Sequence, residues 1–171
     1  MAEGPIGAPD GPAAITARPA VTTDYQRLAE LWGAARAELR GLRGGSVLIG
    51  LSERATAGDA SFAEYVQGQG HHVVVGALSG AVVGYGTCRT RPQSEGGPIG
   101  SIEELYVAMA ARHQGVGRAM AKALVNWCVG QGCTGVDALA LPGNRAAKSF
   151  FEAEGFTARL IVMHRALHLD G

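Results

Sequence analysis

Lysine is almost missing from this chain: Lys122 and Lys148 are the only two among 15 basic residues, and arginine supplies the rest. With the abundant alanine and glycine, this reads as the coding bias of a GC-rich genome and says nothing about function. An excess of either charge is also missing, since 15 acidic residues balance the 15 basic ones. A nucleic-acid coat or a membrane-surface protein ordinarily carries a basic excess, so neither nucleic acid nor membrane is an expected partner. No apolar run approaches the ~18 residues that span a bilayer. No basic region followed by an apolar stretch opens the chain, so no secretory leader is expected. Cysteine is scarce. Cys88, Cys128 and Cys133 are odd in number and lack metal-ligand spacing, which points to reduced thiols in a cytoplasmic protein. The adjacent His71 and His72 lack a third ligand nearby, so no metal is expected.

What is present suits one folded unit. The 171 residues are 47% hydrophobic, enough for a sizeable core in a single domain. Residues 1–14 are rich in glycine and proline and are expected to form a flexible tail, leaving 15–171 as the domain. Ile15 to Pro19 reads as a strand. Thr23 and Gln26 have capping-box spacing, and Leu28, Leu31, Trp32, Ala35 and Leu39 recur at helical spacing until Gly41, Gly44 and Gly45. Residues 46–70 are ambiguous, with a helix from Ser61 to Gln67. His72 to Leu78, the turn Ser79-Gly80 and Ala81 to Arg89 form a hairpin. Ile99 to Val107 is a further strand, Gly115 to Val129 a helix, Val136 to Leu141 a strand, Asn144 to Glu154 a helix and Leu160 to Leu167 a last strand. Helices alternating with strands, plus a hairpin, predict an α/β fold with a mixed sheet covered on both faces.

The informative stretch runs from Leu105 to Gly117: a strand, a short loop, then Arg112-His113-Gln114-Gly115-Val116-Gly117 opening a helix. The spacing is weak by itself, and its context carries it. The first turn of a helix exposes backbone N–H groups that have no intrahelical partner. Those donors and the positive end of the helix dipole favour phosphate oxygens. Gly115 and Gly117 let a pyrophosphate approach the backbone, and Arg112 and Arg118 add charge nearby. A Rossmann fingerprint needs a third glycine where Met120 stands, and a Walker loop needs Gly-Lys-Ser/Thr; both fail. A coenzyme A pyrophosphate site is the third reading.

Residues 101–156 resemble the core of the GCN5-related N-acetyltransferases. The resemblance is carried by Glu104-Leu105-Tyr106-Val107, by Arg112 to Gly117, and by Asn144, Ala147, Phe150-Phe151-Glu152 and Gly155-Phe156, two separated motifs in the right order. It extends more weakly over 15–167. It implies a GNAT fold: a mixed, mostly antiparallel sheet of six to seven strands, splayed between two central parallel strands, with helices on both faces. Acetyl-CoA is then the co-substrate and lies in that cleft. The backbone of Leu105, Tyr106 and Val107 holds the pantetheine and thioester, the amides from Gln114 to Arg118 (with His113 in the same loop) hold the pyrophosphate, and Asn144 bonds the cofactor arm beside Ala147 and Phe151. The implied activity is acetyl transfer to a primary amine of a small molecule or peptide. A turnover-poor acyl-CoA sensor is the alternative. Many relatives dimerise, and nothing in the sequence decides this for the present chain.

The reaction is attack by a neutral amine on a thioester. A lysine-like amine is protonated by ~3 pK units at pH 7, so deprotonation alone costs about 4 kcal/mol. A carboxylate near the acceptor removes that proton, and Glu103 and Glu104 are the candidates. Neighbours on a regular strand face opposite ways, so only one would line the cleft unless the strand bulges. Glu103 is favoured, because polyamine acetyltransferases of the family carry a base glutamate at the matching place. The Val107 N–H is the expected oxyanion donor. One departure stands out. The family usually has tyrosine at position 151, as the acid for the leaving thiolate, and Phe151 has no proton to give.

Overall fold

The computed structural model describes residues 13–51, 63, 65–66 and 68–163. Its strands are β1 (Ile15–Pro19), β2 (His71–Leu78), β3 (Ala81–Arg91), β4 (Ile99–Val107) and β5 (Gly135–Ala138). They lie side by side in chain order. All neighbours are antiparallel except β4 and β5, which run parallel. Four helices with described bounds accompany them: α1 (Tyr25–Arg40), α2 (Gly45–Leu51), α3 (Val116–Gly130) and α4 (Arg145–Ala153).

The sheet separates two cores. On one face the α1 residues Leu28, Leu31, Trp32 and Ala35 pack with Tyr65 against Val73, Val75 and Tyr85. On the other, Val116, Met120, Leu124 and Cys128 of α3 pack against Val74, Cys88 and Ile102. Both helices thus bury the stripe their 3.6-residue periodicity predicts. Alternation along β2 sends Val73 and Val75 one way and Val74 the other. Trp127 is half-buried and stacks on His72 with ring centroids 5.0 Å apart. The β2–β3 hairpin turns at Ser79 and Gly80, with φ of 48° and 85°, the doubly left-handed turn that matches strand twist.

Several expectations need correction. Five strands are found among the described residues, not six to seven. Leu160 to Met163 of the expected last strand are highly exposed and belong to no ladder, and 164–167 lie outside the described residues. Apolar composition predicts strand propensity, whereas a strand needs a hydrogen-bonded neighbour. The β5 ladder ends at Ala138 instead of Leu141, because the chain turns away there and buries Leu141 elsewhere. The capping box at Thr23 and Gln26 does not form. Asp24 instead accepts from the Val21 amide at 2.9 Å and holds Arg18, and a single 3-10 turn, Thr22–Asp24, precedes α1. Gly45 starts α2 instead of ending α1. Of the expected helix at 61–67, Ala63, Tyr65 and Val66 are helical and the rest lies outside the described residues. No described helix is long and apolar enough to cross a membrane.

Candidate active site

The sheet opens where its two parallel strands part. Their ladder holds four pairs, from Ile99 with Gly135 to Ile102 with Ala138. β4 then continues for five residues, Glu103 to Val107, after β5 has ended. A cleft of about 760 Å³ lies there, bordered by this stretch of β4, the end of α1, the turn before α3 and the inner side of α4.

Which backbone groups face the cleft follows from the ladder. The Ala108 amide donates to the Val83 carbonyl at 2.8 Å, so that pair is the hydrogen-bonded kind. Such pairs alternate along antiparallel strands. Tyr85 with Tyr106 is therefore bonded, and the groups of Leu105 and Val107 point away from β3, into the gap.

A bulge decides the two glutamates. Thr87 pairs with Glu104 and Cys88 with Ile102, so Glu103 is an extra residue in β4. Ile102 packs on the α3 side. The bulge turns Glu103 to the α1 side, the side Glu104 also faces, and both border the cleft. The Glu103 side chain is 13% exposed and pairs with Arg89 Nε at 2.6 Å, while the Tyr65 hydroxyl donates to its second oxygen. The Tyr85 hydroxyl donates to Glu104 at 2.8 Å. The expectation that only one of the two lines the cleft holds for a regular strand, and this strand is not regular.

The turn before α3 is an anion-binding shape. His113 and Gly115 have φ of 62° and 93°, and α3 begins at Val116. The Gly115 carbonyl takes the Ala119 amide, so the amides of Val116, Gly117 and Arg118 are the unpaired donors of a first helical turn. Side chains of the motif separate. His113, Gly115, Gly117 and Arg118 border the cleft. The Val116 side chain is buried in the core, and Gln114 bonds back to the Ala110 carbonyl at 3.3 Å, so these two offer only backbone.

The two arginines also have structural partners. Arg118 pairs with Glu154 at 2.8 Å. Arg112 turns away from the amides: its Nε donates to the Val107 carbonyl at 2.9 Å, and its Nη2 to both Glu38 oxygens at 2.9 and 2.7 Å. The Tyr106 hydroxyl donates to Glu38 as well, at 2.8 Å. Burial raises the Glu38 carboxyl, but the hydrogen bonds from Arg112 and Tyr106 outweigh it and hold the group below the usual carboxylate range. Burial and the bond to Glu38 push the Tyr106 phenol up.

On the opposite wall, Asn144 caps α4 by accepting from the Ala147 amide at 3.1 Å. Asn144, Ala147 and Phe151 all border the cleft, and Phe151 stands edge-on to Phe150 and Phe156. Sequence reasoning missed Arg89 and the depth of Glu38's involvement. The available signal was that Glu38 continues the Leu31–Ala35 stripe at helical spacing, a charge on a buried face.

A profile of the acetyltransferase (GNAT) family matches residues 31–156, most of the chain. The chain belongs to that family. Among curated proteins, this GNAT chain is 37% identical over 84 residues to an aminoglycoside N(6')-acetyltransferase type 1 of Klebsiella aerogenes, covering 47% of this chain and 55% of the relative. The match thus spans about half the relative's length. Among solved structures, the aminoglycoside N-acetyltransferase AAC(6')-Iy in complex with CoA superposes with a TM-score of 0.71 at 16% identity, over 93% of this chain and 98% of that one. A Bacillus halodurans protein reaches 0.73 at 21% identity, over 88% and 99%. At such identities these likenesses speak to the GNAT fold alone.

Proposed function

We propose that this GNAT chain transfers the acetyl group of acetyl-CoA to a primary amine of a small molecule. The observation that carries the reading is the meeting, in one cleft, of an unpaired strand edge, a helix-start anion turn and two carboxylates that share a side. The cleft suits the co-substrate. The amides of Val116 to Arg118 would hold its pyrophosphate, and the edge groups of Leu105 its pantetheine arm, the Val107 carbonyl being taken by Arg112. When bound, acetyl-CoA supplies an activated acyl group. Glu103, turned inward by the bulge, accepts the proton of the incoming ammonium with Glu104 beside it, and the Val107 N–H is the donor for charge developing on the carbonyl oxygen. Phe151 contributes an apolar wall. The small-molecule class of acceptor is supported by the curated relative's own name.

The test is thiol release from acetyl-CoA over a panel of aminoglycosides, polyamines and peptide amines, alongside calorimetric titration with acetyl-CoA. Turnover on a small-molecule amine is expected, and failure to bind acetyl-CoA would overturn the reading. The position of Phe151, together with the commitment of the Tyr85 and Tyr106 hydroxyls to glutamates, favours a second reading as an acyl-CoA sensor. Tight binding without thiol release on any amine would select it.

A further inference from the structure

The end of β4 has lost its parallel neighbour, and something else must hold it. β3 holds one side of it. On the open side, the carbonyl of Val107 is taken by Arg112 Nε at 2.9 Å. The Nη2 of that guanidinium donates to both oxygens of Glu38, in the last turn of α1. Glu38 also receives the Tyr106 hydroxyl, so one carboxylate ties α1 to two successive residues of the strand end. Arg112 lies over the Tyr106 ring as well, 5.5 Å from its centroid.

We infer that Glu38 is a positioning residue: through Arg112 it holds the Val107 carbonyl, and so sets the direction in which the Val107 N–H faces the cleft. The inference rests on the transferase reading above for its catalytic meaning, and on the brace alone for its geometry. Three features support it. The planar guanidinium fork transmits direction, which a lysine point charge would not do. Glu38 stays anionic at neutral pH, because the bonds from Arg112 and Tyr106 outweigh the burial that raises it. Capture of the Val107 carbonyl leaves the Val107 N–H, in the preceding peptide unit, as the group this residue presents to a ligand, and the two units are coupled through the backbone angles of Val107. Misplacing a reacting or stabilising group by about 1 Å can cost about 100-fold in rate.

The experiment compares Glu38→Ala, Glu38→Gln, Arg112→Ala and the Glu38→Ala/Arg112→Ala double variant. Turnover is followed with the amine that the wild type accepts, and the Val107 and Ala108 amide resonances are followed in isotope-labelled protein. Glu38→Ala and Arg112→Ala should each lower kcat by roughly tenfold or more, as expected for a misaimed donor, with KM for acetyl-CoA moving by less than about threefold. The double variant should be no worse than Arg112→Ala, since both act through one contact. Glu38→Gln keeps one acceptor oxygen for Arg112 and the Tyr106 hydroxyl but loses the second bond and the charge, and should recover part of the rate. Glu38→Ala and Arg112→Ala should shift the Val107 amide in the same sense, whether or not the wild type turns over. An unmoved Val107 amide in Glu38→Ala overturns the brace. Additive losses in the double variant, or a fall in kcat matched by an equal rise in KM, overturn the positioning role. Absence of wild-type turnover with the amide shifts intact would reject the transferase reading and leave the brace standing.

Discussion

Replacing Gly117 with alanine separates what the fold needs from what an anion needs. Gly117 is the second residue of α3 and borders the cleft. A Cβ built there meets the Phe150 ring at 3.4 Å and Val107 Cγ2 at 3.7 Å, ordinary contact distances. Its φ does not lie in the left-handed region, unlike that of Gly115 at +93°, where alanine would add backbone strain. The fold therefore has no need of glycine at position 117. Alanine in a helix is favoured over glycine by up to about 1 kcal/mol, which raises the melting temperature of a chain this size by about 2–4 °C. The same methyl group stands beside the first-turn amides. If it displaces one charge-assisted hydrogen bond to a phosphate, about 1.5–3 kcal/mol of binding is lost, or roughly 10- to 150-fold in affinity. Gly117→Ala should therefore be slightly more stable and clearly weaker for acetyl-CoA. Thermal melting and calorimetric titration on the same preparation read both. An unchanged affinity for acetyl-CoA would refute the anion-turn argument, and a lower melting temperature would refute the steric one.

Other expectations follow from the same geometry. Glu103→Gln should lower kcat by about 10²–10⁴ if Glu103 is the proton acceptor, with Glu104→Gln the milder change; the reverse order in steady-state kinetics would transfer the role to Glu104. Phe151→Tyr should leave both the rate and the alkaline limb of the pH–rate profile unchanged; a large gain in rate would show that a general acid had been missing. Asp24 is buried, and its hydrogen bonds from Arg18 hold its carboxyl below the usual range in spite of that burial. Its contribution is then complete above the unfolded carboxylate value of about 3.9 and is lost as pH falls through the lower folded value. Asp24→Asn should cost about 1 kcal/mol at neutral pH, Arg18 being half exposed, and should flatten the loss of stability below about pH 4 seen by melting the wild type.

Much of the frame was legible because local rules govern it. β4 spans Ile99–Val107 as its composition implies, α3 begins after Gly115, and the Ser79-Gly80 turn closes the hairpin. Each depends on periodicity or on a residue suited to an unusual φ, properties a linear chain carries by itself. The end of β5 and the lack of a ladder at the described residues Leu160 to Met163 were less legible, because a strand exists only when another strand is beside it. Glu38 could be noticed as a charge among apolar neighbours, but its partners could not.

The chain's own pattern determined that a strand, a glycine-bearing turn and a helix start follow one another, and therefore that an anion-binding shape would form. Tertiary structure alone decided what surrounds it. Pairing with β3 made Glu103 the extra residue and put two adjacent carboxylates on one side, against the alternation that neighbours in a strand otherwise obey. Packing of α1 brought Glu38 within reach of Arg112 and drew that arginine from the turn to the Val107 carbonyl. Both outcomes depend on contacts between residues tens of positions apart. Such contacts are set by how whole elements pack, and no local stretch of sequence encodes them.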